Sequence, residues 1–207
     1  MEKLDYKKAY KHLYLPKAVP TLIDVPEMTF IMVDGKGDPN GDEYADAVSL
    51  LYSLSYTLKM KGKAFDQYTE YVIFPLEGFW WVEDGTYDFY NREKWGWISL
   101  IRQPDFVTAD VFAWAVDLCQ KKNPEQDYSK ARLQTITEGL CVQMMHYGPF
   151  VDEPATVAQM NQFIEHNGLV TTLGKDERQH HEIYLSDPRK TAPEKLKTVI
   201  RHPVAKV

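Results

Sequence analysis

The sequence is poor in cysteine and in long apolar runs. Its 207 residues include two cysteines, Cys119 and Cys141, which stand in apolar contexts without a CxxC partner. We therefore expect buried structural thiols rather than redox centres or nucleophiles. No run approaches the roughly 20 apolar residues of a membrane span, and the first residues lack the apolar core of a secretion signal. These absences predict a cytoplasmic protein without a membrane partner.

Positive charge and the common cofactor motifs are also scarce. The 24 basic residues are outnumbered by 30 acidic ones, for a formal net charge of -6. A protein that captures nucleic acid without regard to sequence needs a basic face, so we expect no direct nucleic-acid partner. The glycines of "DGKGDPNG" lack the spacing of a dinucleotide or phosphate loop, and no GxSxG elbow is present. We expect no cofactor.

Aromatic residues, by contrast, are abundant. They make up 13% of the chain, and all five tryptophans fall between Tyr68 and Trp114. Such rings either line a binding cleft, where each supplies a flat wall with a polar tip, or fill a tryptophan-rich core. Composition alone does not decide between the two.

Hydrophobic periodicity predicts strand, helix, strand, strand in the first half of the chain. A strand at 28–33 is followed by a helix with a capping box at Asn40 and Glu43 and an end at Gly62. The two later strands lie in "YTEYVIFPLEGFWW" and "KWGWISLIRQP". A connecting helix is expected from a Thr108 cap to just before Pro124.

The second half repeats this order. A strand in "EGLCVQMMHY" precedes a helix with Asp152 as its N-cap and Gly168 just beyond its end. Strands in "RQHHEIYL" and "VIRHPV" follow. The prediction is an α+β fold with a duplicated βαββ unit in one domain, 1–207. Repeat one covers about 20–104, the helical connector about 105–130 and repeat two about 131–207.

Five stretches also occur in a characteristic order: "MVDGKGDP", "YVIFPLEGFWW", "KWGWISLIRQPDFVT", "HYGPF" and "HHEIYLSDPRKTAPEKLKTVIRHPV". The series resembles the GyrI-like small-molecule-binding superfamily, and within it the stand-alone branch associated with cyclopropanoid hydrolases. The resemblance runs from about Pro20 to Val204, and its C-terminal motif is the most specific part. The first 26 residues show no helix-turn-helix pattern, unlike the transcription activators of this superfamily, which argues against direct DNA regulation.

The resemblance implies a pseudo-twofold domain of duplicated βαββ units with a central ligand cleft. Relatives include effector-binding domains that hold cationic aromatic drugs against a buried glutamate. The stand-alone branch is associated with hydrolysis of cyclopropanoid genotoxins, which alkylate DNA through a strained ring. It therefore implies an aromatic or cationic small-molecule ligand and detoxification by hydrolysis. The alternative is a non-catalytic module that sequesters ligands or acts on a protein partner such as a topoisomerase.

Glu182 stands in the middle of an otherwise apolar predicted strand. Burying an unpaired carboxylate is costly, so this position needs a partner, a proton or a ligand. Because strand side chains alternate, Glu182 and Tyr184 share one face, and Glu182 meets the cleft if Ile183 packs under the helices. Three hypotheses stay open: the cleft carboxylate that the resemblance implies, an exposed edge-strand residue, or a partner of Arg178, Arg189 or Arg201.

The catalytic candidates are Glu182 and Tyr147. Glu182 would act as the general base that activates water, or would stabilise positive charge at the strained carbon. The Tyr147 hydroxyl would support the leaving oxygen, unless Tyr147 simply packs on Pro149. The candidates for ligand binding are Tyr71, Glu77, Trp80, Trp81, Trp97 and Tyr184.

Strand alternation makes these ligand-binding candidates testable. It places Tyr71 on a lining face of the predicted second strand, and it sends one of Trp80 and Trp81 toward the cleft without showing which. Trp97 is preferred to its neighbour at 95 as a lining residue. Glu77 follows a proline break and is a surface residue in the alternative hypothesis.

We expect no metal ion. Consecutive His180, His181 and Glu182 point to opposite faces of a strand, so they cannot converge on one ion without other segments. His146 and His202 would have to supply those segments, and the chain has no HExxH motif.

Overall fold

The computed structural model describes residues 3–82, 91–174 and 179–207. It is a mixed helix and strand fold, as predicted. The helices are α1 (Tyr6–Ala9), α2 (Lys11–Tyr14), α3 (Asp42–Lys61), α4 (Ala109–Lys122) and α5 (Glu153–His166). The strands are β1 (Thr21–Lys36), β2 (Leu76–Val82), β3 (Trp95–Arg102), β4 (Ala131–Tyr147), β5 (Leu169–Thr171), β6 (His180–Tyr184) and β7 (Lys197–Lys206).

The predicted helix caps have different outcomes. The Thr108 hydroxyl accepts a hydrogen bond from the Val111 amide at 3.4 Å, which confirms the start of α4. The capping box at Asn40 is wrong, because its side-chain amide donates to the Asp38 carboxylate at 2.8 Å and α3 begins beyond it. Asp152 precedes α5 as predicted, but its side chain does not cap the helix.

The second predicted strand is shorter than its sequence pattern. β2 begins at Leu76, after Pro75, whose missing N–H cannot take part in a strand ladder. Tyr71 forms only an isolated bridge with Leu4. The alternation assumed for Tyr71 is therefore wrong, because residues 72–75 are not in a strand.

The chain divides into two compact units. The first comprises Met1–Ala9, Met28–Leu76 and Val82–Ile136, and within it β1 and β3 pair antiparallel from Phe30 with Arg102 to Lys36 with Gly96. Gly35 lies opposite Trp97, whose ring carbon would be 2.1 Å from a Cβ at position 35. Only glycine therefore leaves room for this indole. Cys119 and Cys141 are both buried free thiols, as predicted.

The second unit comprises Tyr10–Glu27, Glu77–Trp81 and Thr137–Val207. Here β6 pairs antiparallel with both β2 and β7, and β7 also pairs with β4 and β5. Helix α5 packs on one face of these strands, where Met160 and Ile164 join a buried cluster with Met144 and Ile200. Ile200 is the register partner of both Met144 and Glu182. Glu182 therefore points to the face that α5 covers, contrary to the expectation that Ile183 does so.

Among the described residues, no helix is long and apolar enough to cross a lipid bilayer.

Candidate functional site

Strand β6 has a fully buried face, which we call the closed face, and a half-buried face on the side of α5, which we call the open face. Its residues alternate between half-buried and buried along the strand: His180, Glu182 and Tyr184 are half-buried, whereas His181 and Ile183 are buried. This is the alternation that the sequence predicted for Glu182 and Tyr184. The two faces therefore place different chemistry on the two sides of one five-residue strand.

On the open face, Glu182 is part of a chain of polar contacts. Its Oε1 lies 3.1 Å from His180 Nε2, and His180 Nδ1 lies 2.7 Å from His202 Nε2. Burial, followed by the neighbouring His180, lowers the pKa of His202 to about 3. His202 is consequently neutral at pH 7, and it can serve as the hydrogen-bond partner that fixes the His180 ring.

Glu153, the first residue of α5, completes a group that the sequence did not predict. Glu153, His180 and Glu182 each offer a ligand atom, and these atoms all lie within 4.8 Å of one another. We call these three residues the carboxylate cluster. Glu153 is 7% exposed, and its Oε1 has no hydrogen-bond partner among the described residues. Burial, and then the Glu182 charge, raise the pKa of Glu153 well above its ordinary value.

An aromatic wall stands on the same face as Glu182. In the register of β2 with β6, Gly78 lies opposite Glu182 and Trp80 lies opposite His180. Trp80 Nε1 donates to the Tyr184 hydroxyl at 2.8 Å, and the Phe150 ring meets Tyr184 edge-on at 5.9 Å. We call Trp80, Phe150 and Tyr184 the aromatic wall. Of the two adjacent tryptophans, Trp80 therefore shares the face of Glu182.

Gly78 makes this wall possible. A Cβ at position 78 would lie 2.5 Å from Trp80 Nε1 and 3.0 Å from the Tyr184 hydroxyl. The indole nitrogen would have to move away from such a contact, and the Tyr184 hydroxyl would have to shift by a few tenths of an ångström. The absence of a side chain opposite Glu182 thus allows the hydrogen bond between Trp80 and Tyr184.

On the closed face, His181 lies between two carboxylates. Its Nδ1 is hydrogen-bonded to Glu138 at 2.9 Å, and its Nε2 is in ion-pair contact with Glu77, also at 2.9 Å but without hydrogen-bond alignment. Arg201 donates to Glu138 at 2.7 Å and to the Gln143 side chain. We call these five residues the buried network.

Charge in the buried network is balanced. Burial alone would raise the pKa of Glu138, but His181 and Arg201 lower it to about 2. The pKa of His181 is raised by Glu138 and Glu77 against the effect of burial. The Glu138 carboxylate therefore lies against both the Arg201 guanidinium and the His181 ring, and pairing of this kind is the condition under which a buried charge is tolerated.

The predicted site residues are not all brought together. Glu182, Trp80 and Tyr184 meet on one face of β6. Glu77 is fully buried in the network on the other face, so the surface alternative for it is wrong. Tyr71 and Trp97 are buried in the first unit, Trp81 is half-buried, and the ligand roles of these three stay predictions.

Tyr147 lies on the opposite face from Glu182. Thr198 of β7 is the register partner of both His146 in β4 and Tyr184 in β6, so these side chains share one face. Tyr147 pairs instead with Lys197, the residue before Thr198. Successive side chains point to opposite faces. Tyr147 is also 54% exposed, so its predicted partnership with Glu182 has no support from the register.

Two of the three arginines considered as partners of Glu182 pair with other carboxylates. Arg201 pairs with Glu138, and Arg189 pairs with Asp187. Arg178 lies outside the described residues. The described partner of Glu182 is a histidine, His180, which sequence reasoning considered only as a metal ligand.

Residues 19–205 match the family model described as GyrI-like small molecule binding domain. A hydrolase from Listeria innocua is 50% identical with a TM-score of 0.89, covering 98% of this chain and 100% of its own. A second hydrolase from Listeria innocua, encoded by lin2189, is 51% identical with a TM-score of 0.91, covering 99% and 100%. The EcmrR C-terminal domain shares the fold at 16% identity and a TM-score of 0.54, covering 91% and 98%. A comparison with curated proteins found no match.

Proposed function

Because the chain belongs to the family of GyrI-like small-molecule-binding domains, we propose that it binds an aromatic or cationic small molecule against the aromatic wall and hydrolyses it. The observation that carries this proposal is the pair of adjacent carboxyl groups, Glu153 and Glu182, on the face of Trp80 and Tyr184. The naming of relatives at about 50% identity as hydrolases supports it.

The wall and the carboxylates suit this class of ligand. Indole and phenol rings stack on flat ligands and attract cations over their faces. A carboxylate beside them adds charge pairing for a cation. Trp80 is held by its hydrogen bond to Tyr184, so less side-chain freedom is lost when a ligand binds.

The two carboxyl groups have different roles in the proposed reaction. Burial and the neighbouring Glu182 raise the pKa of Glu153, so Glu153 is the carboxyl group assigned the role of acid and Glu182 the role of base. Glu182 takes a proton from water, whose oxygen bonds to the strained ring carbon while the carbon–carbon bond of the ring breaks. The released electron pair moves to the conjugated oxygen of the ligand, and Glu153 supplies the proton there. The net change is the addition of one water molecule.

His180 and His202 act as positioning residues. His180 Nε2 donates to Glu182 Oε1, and the contact of its Nδ1 with His202 holds the ring in place. A base held in one orientation reaches the attacking water without reorganisation. We place the assisting hydroxyl at Tyr184, because it shares the face of Glu182, and keep Tyr147 as the competing candidate.

The substrate we propose is a strained-ring, cyclopropanoid genotoxin, so that hydrolysis is a detoxification. The family supports a small-molecule ligand, and the acid and base pair supports water addition to an activated ring. We also retain the duplicated βαββ unit within one domain as a proposal. The order β1, α3, β2, β3 recurs as β4, α5, β6, β7, with the short β5 added.

The test is a turnover assay. The purified protein is incubated with a cyclopropane-bearing DNA alkylator, and mass spectrometry follows the gain of one water. We expect product to accumulate at substrate excess. Quenching of tryptophan fluorescence measures binding in parallel.

The rival proposal is a module that sequesters the ligand without turnover. The fold does not separate the two, because function resides in the site. Saturable quenching with no water adduct would establish sequestration and overturn hydrolysis. An unchanged fluorescence spectrum over a broad panel of aromatic ligands would contradict both proposals.

A further inference from the structure

We infer that the carboxylate cluster is also a binding site for one divalent transition-metal cation, with Glu153, His180 and Glu182 as its protein ligands. Sequence analysis predicted no metal ion, because His180 and Glu182 needed a ligand from another segment. Helix α5 supplies that ligand through Glu153. The inference concerns binding alone and does not depend on hydrolysis.

The distances fit one small cation. Two ligand atoms that are each about 2.1 Å from a tetrahedral zinc ion lie about 3.4 Å apart. His180 Nε2 and Glu182 Oε1 are already 3.1 Å apart, and all three ligand atoms lie within 4.8 Å of one another. The largest separation in the cluster therefore exceeds the zinc spacing by at most about 1.4 Å.

An unpartnered oxygen provides a second, independent indication. Glu153 Oε1 is buried and accepts no hydrogen bond from the described residues. A buried polar atom without a partner is rare and costs free energy. Carboxylates in exposed clusters can accept hydrogen bonds from water, whereas Glu153 is only 7% exposed. A cation between Glu153 and Glu182 would satisfy that oxygen and offset the charge of both carboxylates.

His202 is the hydrogen-bond partner of His180 on the side away from the proposed metal ion. A metal-binding histidine typically forms a hydrogen bond through its other ring nitrogen, which fixes the ring for coordination. His180 directs Nε2 toward the carboxylates and has Nδ1 in contact with His202 Nε2 at 2.7 Å. At this distance the His180 Nδ1–H can donate to His202 Nε2, which leaves Nε2 of His180 for the metal ion.

The donor set selects the class of ion. One imidazole nitrogen and two carboxylate oxygens suit Zn²⁺ and neighbouring first-row ions, while Mg²⁺ and Ca²⁺ prefer oxygen donors alone. The Irving–Williams order predicts tighter binding of Zn²⁺ than of Mn²⁺. A three-ligand site also leaves a coordination position for water.

Occupancy by the ion would oppose the proposed hydrolysis. A Glu182 oxygen bound to Zn²⁺ cannot accept a proton from water, and Glu153 bound to the same ion carries no proton to donate. We therefore expect Zn²⁺ to inhibit the turnover of metal-free protein, and removal of Zn²⁺ to restore it.

The experiment measures Zn²⁺ binding directly, with no substrate present. Protein freed of metal by dialysis against a chelator competes with a chromophoric indicator for Zn²⁺. We expect one site per chain, and at least a tenfold weaker affinity in Glu153→Gln and in His180→Gln. Two substitutions on the exposed side of α5, Glu165→Gln and His166→Gln, serve as matched controls and should leave the affinity unchanged. Circular dichroism checks that each variant is folded.

Co²⁺ provides a second measurement on the unsubstituted protein. Coordination of Co²⁺ by the cluster should produce visible absorption bands that one equivalent of Zn²⁺ abolishes. No saturable binding, or equal weakening by the cluster variants and the α5 controls, would overturn the inference. Zn²⁺ binding together with no turnover by the metal-free protein would refute only the proposed hydrolysis, and turnover without Zn²⁺ binding would refute only the metal site.

Discussion

The two faces of β6 differ in how their charged side chains are paired. On the closed face, His181 is enclosed by Glu77 and Glu138, and Arg201 completes the charge balance. On the open face, Glu153 and Glu182 lie close to each other and to one histidine, and their described ion-pair partners include no arginine or lysine. Compensated charges hold a structure, whereas uncompensated ones mark places where a proton or a ligand is expected.

The largest expected effect comes from breaking the closed face. Glu138→Gln leaves Arg201 and His181 buried without their shared carboxylate, which costs about 3–5 kcal/mol. Urea denaturation should show this loss in the free energy of unfolding. The exposed substitution Glu165→Gln is the control. A loss below about 1 kcal/mol for Glu138→Gln would mean that the network contributes little to stability.

Acid should weaken the closed face in a defined pH range. The pKa of Glu138 is about 2 in the folded protein and near the ordinary 4.5 when unfolded. Its stabilisation is complete above the unfolded value and is lost as the pH falls toward 2, by about 3 kcal/mol. His181 has the opposite sign, since its raised pKa gives stabilisation that is lost as the pH rises through the folded value.

Chemical denaturation between pH 6 and 2 measures this dependence. The slope attributable to Glu138 should disappear in Glu138→Gln. The same slope in both proteins would show that other carboxylates cause the acid sensitivity.

On the open face, Glu153→Gln should reduce turnover by about a hundredfold, because an amide cannot supply the proton. Stability should stay the same or rise, since the substitution removes a carboxylate that burial and Glu182 disfavour. Turnover within threefold of the native value would remove Glu153 from the mechanism.

The smallest expected effect distinguishes two tyrosines. Tyr184→Phe removes the acceptor of Trp80 Nε1 and should lower turnover about tenfold, with a loss of about 1 kcal/mol in stability. Tyr147→Phe should change neither quantity, because Tyr147 is exposed on the other face. The reverse pattern would return the assisting hydroxyl to Tyr147.

Local patterns predicted much of the fold and part of the site. The polar residue in an apolar strand located Glu182, and alternation placed Tyr184 beside it. The Thr108 cap was also confirmed. These features depend on neighbours in sequence, where the geometry of strands and helix ends is regular.

Long-range contacts could not be predicted in the same way. Glu153 precedes Pro154 at a helix start, where an acidic residue is ordinarily solvated, and only tertiary packing brings it to Glu182. Glu138 is likewise separated from Arg201 by 63 positions. Arg201 did carry a usable signal, because "VIRHPV" places a charge in an apolar strand, as "HHEIYL" does for Glu182.

The central claim is that Glu182 serves chemistry and Glu138 serves stability, although both are glutamates beside β6 histidines. The most direct test is Glu182→Gln, measured for water addition to the cyclopropane-bearing ligand and for urea unfolding. The account predicts at least a hundredfold loss of turnover, with ligand binding retained and the free energy of unfolding within about 1 kcal/mol of native. Undiminished turnover, or a loss explained by unfolding, would contradict it.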